Sequence, residues 1–235
     1  MNLSKRLITI CQRYVLDAHS LVVVPEPYIP LMPEQWNGTL VLAEAQNLAG
    51  KNGNYPMWLK AASPEARIRR LGRNGQVGVG PWDNGSLKLA VEAALQLRAV
   101  ECAISNGIPW SLVNADGNNQ NPSKELVARS AALWAEMLVM LQPTHLVTVG
   151  VKAQAVVLAA LKGSPLKPKR TTWALPSPRL LSPLARMVNE TDLLERFPEV
   201  KRVVKIHPEW IQGSNRRNKI LFACLAVSET AKGAG

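Results

Sequence analysis

The chain has 235 residues, 47% of them apolar, and carries a formal net charge of +11 with a pI near 9.9. That apolar share supports a core and excludes wholesale disorder. The positive field favours polyanions and gives a salt-dependent, sequence-blind attraction to phosphates.

Leu3, Leu7, Ile8, Cys11, Tyr14 and Val15 fit one face of an amphipathic helix. Gln12 and Arg13 break that apolar stretch, so neither a signal-peptide core nor a membrane span is expected, and the location reads as cytoplasmic. Residues 20–38, with Pro25, Pro27, Pro30 and Pro33, read as an extended arm. The first core strand lies near Thr39–Ala43 and ends at Glu44. Residues 46–86 are rich in Gly, Asn and Pro, with one short helix near Pro64–Leu71 started by Ser63.

Helical periodicity then runs from Ser86 to Asn106 and stops at Gly107. Ser111–Asn114 reads as a strand, followed by a polar loop to Pro122. Ser123 caps a helix to about Leu141. His145–Val149 is a strand and Val151–Leu161 a helix. Lys162–Arg170 is a basic loop, Thr171–Leu175 a strand, and Pro176–Arg179 a turn. Thr191 caps a helix through Phe197, Arg202–Ile206 reads as a strand, and Ser214 or Asn215 starts a final helix to about Thr230.

This alternation predicts a three-layer α/β/α sandwich around a mostly parallel sheet of four to five strands. One domain, 1–235, is expected, with residues 1–38 as helix and arm and 163–200 as inserted, DNA-contacting loops. The cysteines Cys11, Cys102 and Cys224 are far apart and form no CxxC pair. They read as buried apolar residues, with no zinc site or disulfide framework. Trp134 reads as core.

In an open parallel sheet, ligands sit beyond the carboxyl ends of the strands. Three strand-like runs end there in site chemistry: one delivers Glu44, one Asn114, and one His207-Pro208. Ala43-Glu44-Ala45-Gln46-Asn47 stands where a strand-end acidic turn would, and Gly117-Asn118-Asn119-Gln120-Asn121-Pro122 leads into a helix. Gln142-Pro143-Thr144-His145-Leu146-Val147-Thr148-Val149-Gly150-Val151-Lys152-Ala153 is similar to a Lys-Pro-x-x-Ile-x-x-Leu-Gly-x-x-Ala segment. Together these resemble the uracil-DNA glycosylase superfamily over about residues 38–162. The acidic turn lacks that family's glycines and proline. Its His-Pro-Ser motif has two counterparts, Leu175-Pro176-Ser177-Pro178 and Ile206-His207-Pro208-Glu209.

The resemblance implies a monofunctional DNA glycosylase that needs no metal or organic cofactor. It acts as a monomer on DNA, double-stranded with a flipped base or single-stranded, and leaves an abasic site. Glu44 would stabilise the sugar cation and orient water. His207 would donate to the departing base. Asn114, Asn47, Gln46 and Tyr55 would bind the base. Ser177, Arg179, Arg216, Arg217 and Lys219 would contact DNA, with Leu180 and Leu181 as a wedge. The Gly50–Asn54 stretch suggests a roomy mouth, suited to uracil-like bases or to a bulky modified pyrimidine such as glucosylated hydroxymethylcytosine of phage DNA. Two other readings stand beside this one. The first is a non-catalytic DNA-binding relative. The second is an unrelated nucleotide-binding α/β enzyme, against which the missing phosphate loop counts.

Overall fold

A computed structural model describes residues 2–17, 22–45, 62–69, 85–112, 122–175, 178–213 and 215–233. Its centre is a four-stranded, wholly parallel sheet made of β2 (Thr39–Ala45), β3 (Ala103–Ile108), β5 (His145–Val149) and β6 (Lys169–Trp173). The strands lie in the order β3-β2-β5-β6. The chain leaves β2 toward one side of the sheet and later returns to β2's other side as β5. A small antiparallel pair, β1 (Val22–Val24) with β4 (Ser111–Leu112), stands apart from this sheet.

Helices cover both faces. One face carries α1 (Leu3–Gln12), α4 (Lys124–Leu141) and α5 (Val151–Ala160). Leu7, Cys11, Leu133, Trp134 and Val156 bury there against Leu40, Leu42 and Leu146 of the sheet. The other face carries α3 (Ser86–Leu95), α6 (Pro178–Met187), α7 (Glu190–Arg196), α8 (Pro198–Ile206) and α9 (Arg216–Lys232). Leu89, Val203, Ile220 and Cys224 pack there against Val41, Ile104, Val147 and Trp173. Alternate residues of one strand feed opposite cores, which is the period-two rule of a pleated strand covered on both sides.

Local chemistry sets the ends. The Ser63 hydroxyl accepts Ala66 N–H at 3.2 Å and opens α2 (Pro64–Arg69). The Ser123 hydroxyl accepts Leu126 N–H at 3.1 Å and opens α4. The cap of α7 is Asn189, whose amide oxygen accepts Thr191 N–H at 2.9 Å, so Thr191 lies inside the helix it was expected to start. The arm is pinned to α2 by Arg67, which donates from Nε to Glu26 Oε2 at 2.7 Å and from Nη2 to Glu26 Oε1.

Three expectations are corrected. The helix from Ser86 ends at Leu95, where Gln96 turns left-handed (φ 56°), and residues 103–108 form β3. Ser111–Leu112 lies outside the central sheet, and Asn114 lies outside the described residues. Arg202–Ile206 is helical: Pro198 fits the first turn of α8, and Val200 and Val203 fall on one buried face. Residues 163–200, expected as inserted loops, contribute β6, α6 and α7, and Leu181 belongs to the core.

Candidate active site at the sheet switch point

A doubly covered parallel sheet opens a crevice where successive crossovers leave to opposite faces. Here that point lies between β2 and β5. Glu44 is next to last in β2, and Gly150 immediately follows β5. Glu44 Oε1 accepts the Lys152 backbone N–H at 3.1 Å. Gly150, at the N-cap of α5, has no side chain to satisfy that helix, so the neighbouring strand supplies the acceptor. The carboxylate also meets the positive end of the helix dipole.

Gly150 adopts φ +93° and ψ 152°, a conformation almost reserved for glycine. A Cβ there would stand 3.2 Å from Glu44 Cδ and 3.3 Å from Oε1. The same glycine donates its N–H to Trp173 O at 2.9 Å, tying the end of β5 to β6. On β3, Gly107 lets α5 approach: a Cβ there would come within 3.0 Å of Ala153 Cα. Two glycines, on β3 and just after β5, flank β2 and thus hold α5 close and fix one oxygen of Glu44.

Asn106 is the buried amide of this region. It pairs in register with Ala43, and the Tyr28 hydroxyl donates to its Oδ1. The pleat sends Asn106 to the face opposite Glu44. Sequence reading misses both Asn106 and Gly107, because their segment carries the tail of a helical periodicity. The signal that marks them is the Asn-Gly pair within an apolar run, Ala103 to Ile108.

The other expected residues divide into groups. Asn114, Asn47, Gln46, Tyr55 and Ser177 lie outside the described residues, as does the side chain of Arg179 at the start of α6. His207 follows helix α8, not a strand. Its Nδ1 is 3.1 Å from Glu209 Oε1, its Nε2 is 3.7 Å from Glu92 Oε2, and its ring stacks on Trp210 at 3.9 Å. Lys219 joins this cluster by donating to Trp210 O at 3.1 Å and Gln212 O at 3.0 Å, so its ammonium serves as a clamp. None of the described partners of His207 belongs to the Glu44 crevice.

Arg216 and Arg217 share a cavity of about 470 Å³ with Ser182, Arg186, Glu190 and Asn218. Arg216 Nε donates to Glu190 at 2.8 Å, and Asn218 donates to the Ser182 hydroxyl at 2.9 Å. Among the described residues, no three His, Cys, Asp or Glu side chains stand together as metal ligands would. No described helix is long and apolar enough to cross a membrane. No protein-family model and no curated protein matches the chain.

Proposed function

We propose that the chain is a DNA glycosylase that hydrolyses the N-glycosidic bond of an extruded base, with Glu44 as its carboxylate. One observation carries this reading: a carboxylate fixed through one oxygen at the switch point of the parallel sheet in a strongly basic protein. The pinned oxygen sets the direction of the other. As the bond to the base breaks, its electron pair leaves with the base nitrogen and positive charge grows on the sugar. A fixed anion beside that charge stabilises it, and it orients a water whose oxygen bonds the anomeric carbon. The water's spare proton passes to solvent or to the released base. His207, held among Glu92, Glu209 and Trp210, gains no support as donor to the departing base.

The finer substrate remains part of the proposal: a uracil-like base or a bulky modified pyrimidine such as glucosylated hydroxymethylcytosine, the second placing the protein in defence against phage DNA. Oligonucleotides carrying uracil, a thymine mismatch or the modified cytosine are incubated with the protein and cleaved at abasic sites. Cleavage with one substrate, lost in Glu44→Gln, is the expected result. Absence of abasic product from every substrate, and from phage DNA, removes the reading.

A non-catalytic DNA-binding relative is the second reading. The observation in its favour is that capping α5 already accounts for a carboxylate at position 44. It requires DNA affinity without abasic product.

A further inference from the structure

No Asp or Glu occurs between Glu136 and Glu190, whereas Lys152, Lys162, Lys167, Lys169, Arg170, Arg179 and Arg186 all fall there. This interval holds β5, α5, β6 and α6, so the sequence gap maps to the β6-edge half of the sheet and to a helix on each of its faces. Lys162, Lys167, Lys169 and Arg170 are exposed, and none forms an ion pair among the described residues.

The surface there is concave. A trough of about 470 Å³ runs between the flank of α5 and the edge strand β6, lined by Thr148, Gln154, Leu158, Arg170 and Thr172 among others. It adjoins a second hollow of about 390 Å³, which shares Leu158 and Arg170 and adds Lys162 and Lys167. The floor is polar: the Thr148 and Thr172 hydroxyls lie 2.9 Å apart. Among the described residues no aromatic ring lines either hollow, so a ligand meets cations and hydroxyls there.

We propose that this trough holds the phosphodiester backbone of a nucleic-acid strand, with Lys162, Lys167 and Arg170 on successive phosphates. Charge complementarity selects the occupant. A second copy of this chain would bring the same cations to the surface, and an anionic bilayer does not follow a concave groove. Guarding an open strand edge with basic residues explains Lys169 and Arg170. It does not explain Lys162 and Lys167, which lie off the strand, or the missing acids. The first turn of α5 also joins the trough to the crevice, because Lys152 N–H meets Glu44 and Gln154 lines the trough. A strand lying there therefore leads toward Glu44. Contacts of this kind position nucleic acid and read no sequence. The proposal goes beyond base excision and stands or falls without it.

Binding of the full chain to a labelled oligonucleotide without modified bases, single-stranded and as duplex, is followed by anisotropy across a salt series. The variant Lys162→Gln/Lys167→Gln/Arg170→Gln is compared with Lys5→Gln/Lys201→Gln/Arg202→Gln, which removes the same charge from α1 and α8. The trough variant is expected to lower the slope of log affinity against log salt by about 2, at roughly 0.7 per lost phosphate contact. The control variant should keep most of the slope, and Lys162→Arg/Lys167→Arg should retain it. Equal losses in the trough and control variants, an unchanged trough variant, or binding to phosphatidylserine vesicles but not to oligonucleotide would each overturn the proposal. Excision assays run in parallel report on Glu44 separately.

Discussion

Glu44 Oε1 and the backbone N–H of Lys152 lie 3.1 Å apart, joining the end of β2 to the first turn of α5. Structure and proposed chemistry share this one bond, and two substitutions separate them. Glu44→Gln keeps an amide oxygen as acceptor and should lose only the charge–dipole attraction, about 0.3–1 kcal/mol. Glu44→Ala removes the cap and should cost about 1 kcal/mol. Both should abolish excision. Full activity in Glu44→Gln would remove the carboxylate from the mechanism.

Gly150 is expected to tolerate no side chain. Its backbone conformation alone should cost Gly150→Ala about 1–3 kcal/mol, and the added methyl would press on Glu44. Thermal unfolding should fall by several degrees, with excision reduced beyond the loss of folded protein. A variant as stable and active as the parent would show that the Glu44 carboxylate is not held against this glycine.

Arg67 and Glu26 form a largely buried pair, with side chains 18% and 5% exposed. Their hydrogen bond is also the leading reason the guanidinium is held above its ordinary range. Removing one partner leaves the other charge buried, so Arg67→Ala should cost about 3–5 kcal/mol in urea unfolding. Replacing both by apolar residues should restore much of that loss. An Arg67→Ala effect under about 1 kcal/mol would place the pair in the class of surface ion pairs.

Burial, and after it the nearby Lys169, holds the His145 imidazole below its usual range. The unfolded chain therefore takes up this proton first as pH falls. The resulting stability is fully present above about pH 6.5 and is lost as pH falls through that value toward the folded pKa. His145→Gln, measured beside the parent at pH 7.5 and 5.5, should show a smaller loss than the parent. Equal losses would mean that His145 titrates alike folded and unfolded.

Burial also pushes the Cys224 thiol up to about 12 and raises that of Cys102. Cys11, the third thiol, is buried too. A maleimide at pH 8 should label the native protein negligibly and modify three thiols after denaturation. Rapid native labelling would locate a packing defect around the thiol that reacts.

The sequence makes β2, β5 and α4 readable because each signal there is local: an apolar run, a serine cap, a glycine after a strand. Segment 103–108 hides for a physical reason. All six of its residues are buried, yet Ser105, Asn106 and Gly107 weaken the apolar run that usually marks a doubly covered strand. The preceding helix is stopped by Gln96 in a left-handed conformation, where no glycine announces the end. Arg202–Ile206 misleads in the opposite direction. Its β-branched residues suggest a strand, while the spacing of Val200 and Val203 and the proline at 198 favour one turn after another of helix. That error carries the imidazole away from the expected site. The strand that carries Glu44 could be read without knowing its neighbours.

With β6 last in the sheet, its outward N–H and C=O groups meet no other strand among the described residues. Lys169 and Arg170 hold a second molecule off by like charge. At 1 M salt that repulsion reaches only about 3 Å. Concentrated brine should thus turn a self-avoiding rim into an adhesive one, and turbidity on warming would appear first under conditions in which most basic proteins release their anionic ligands.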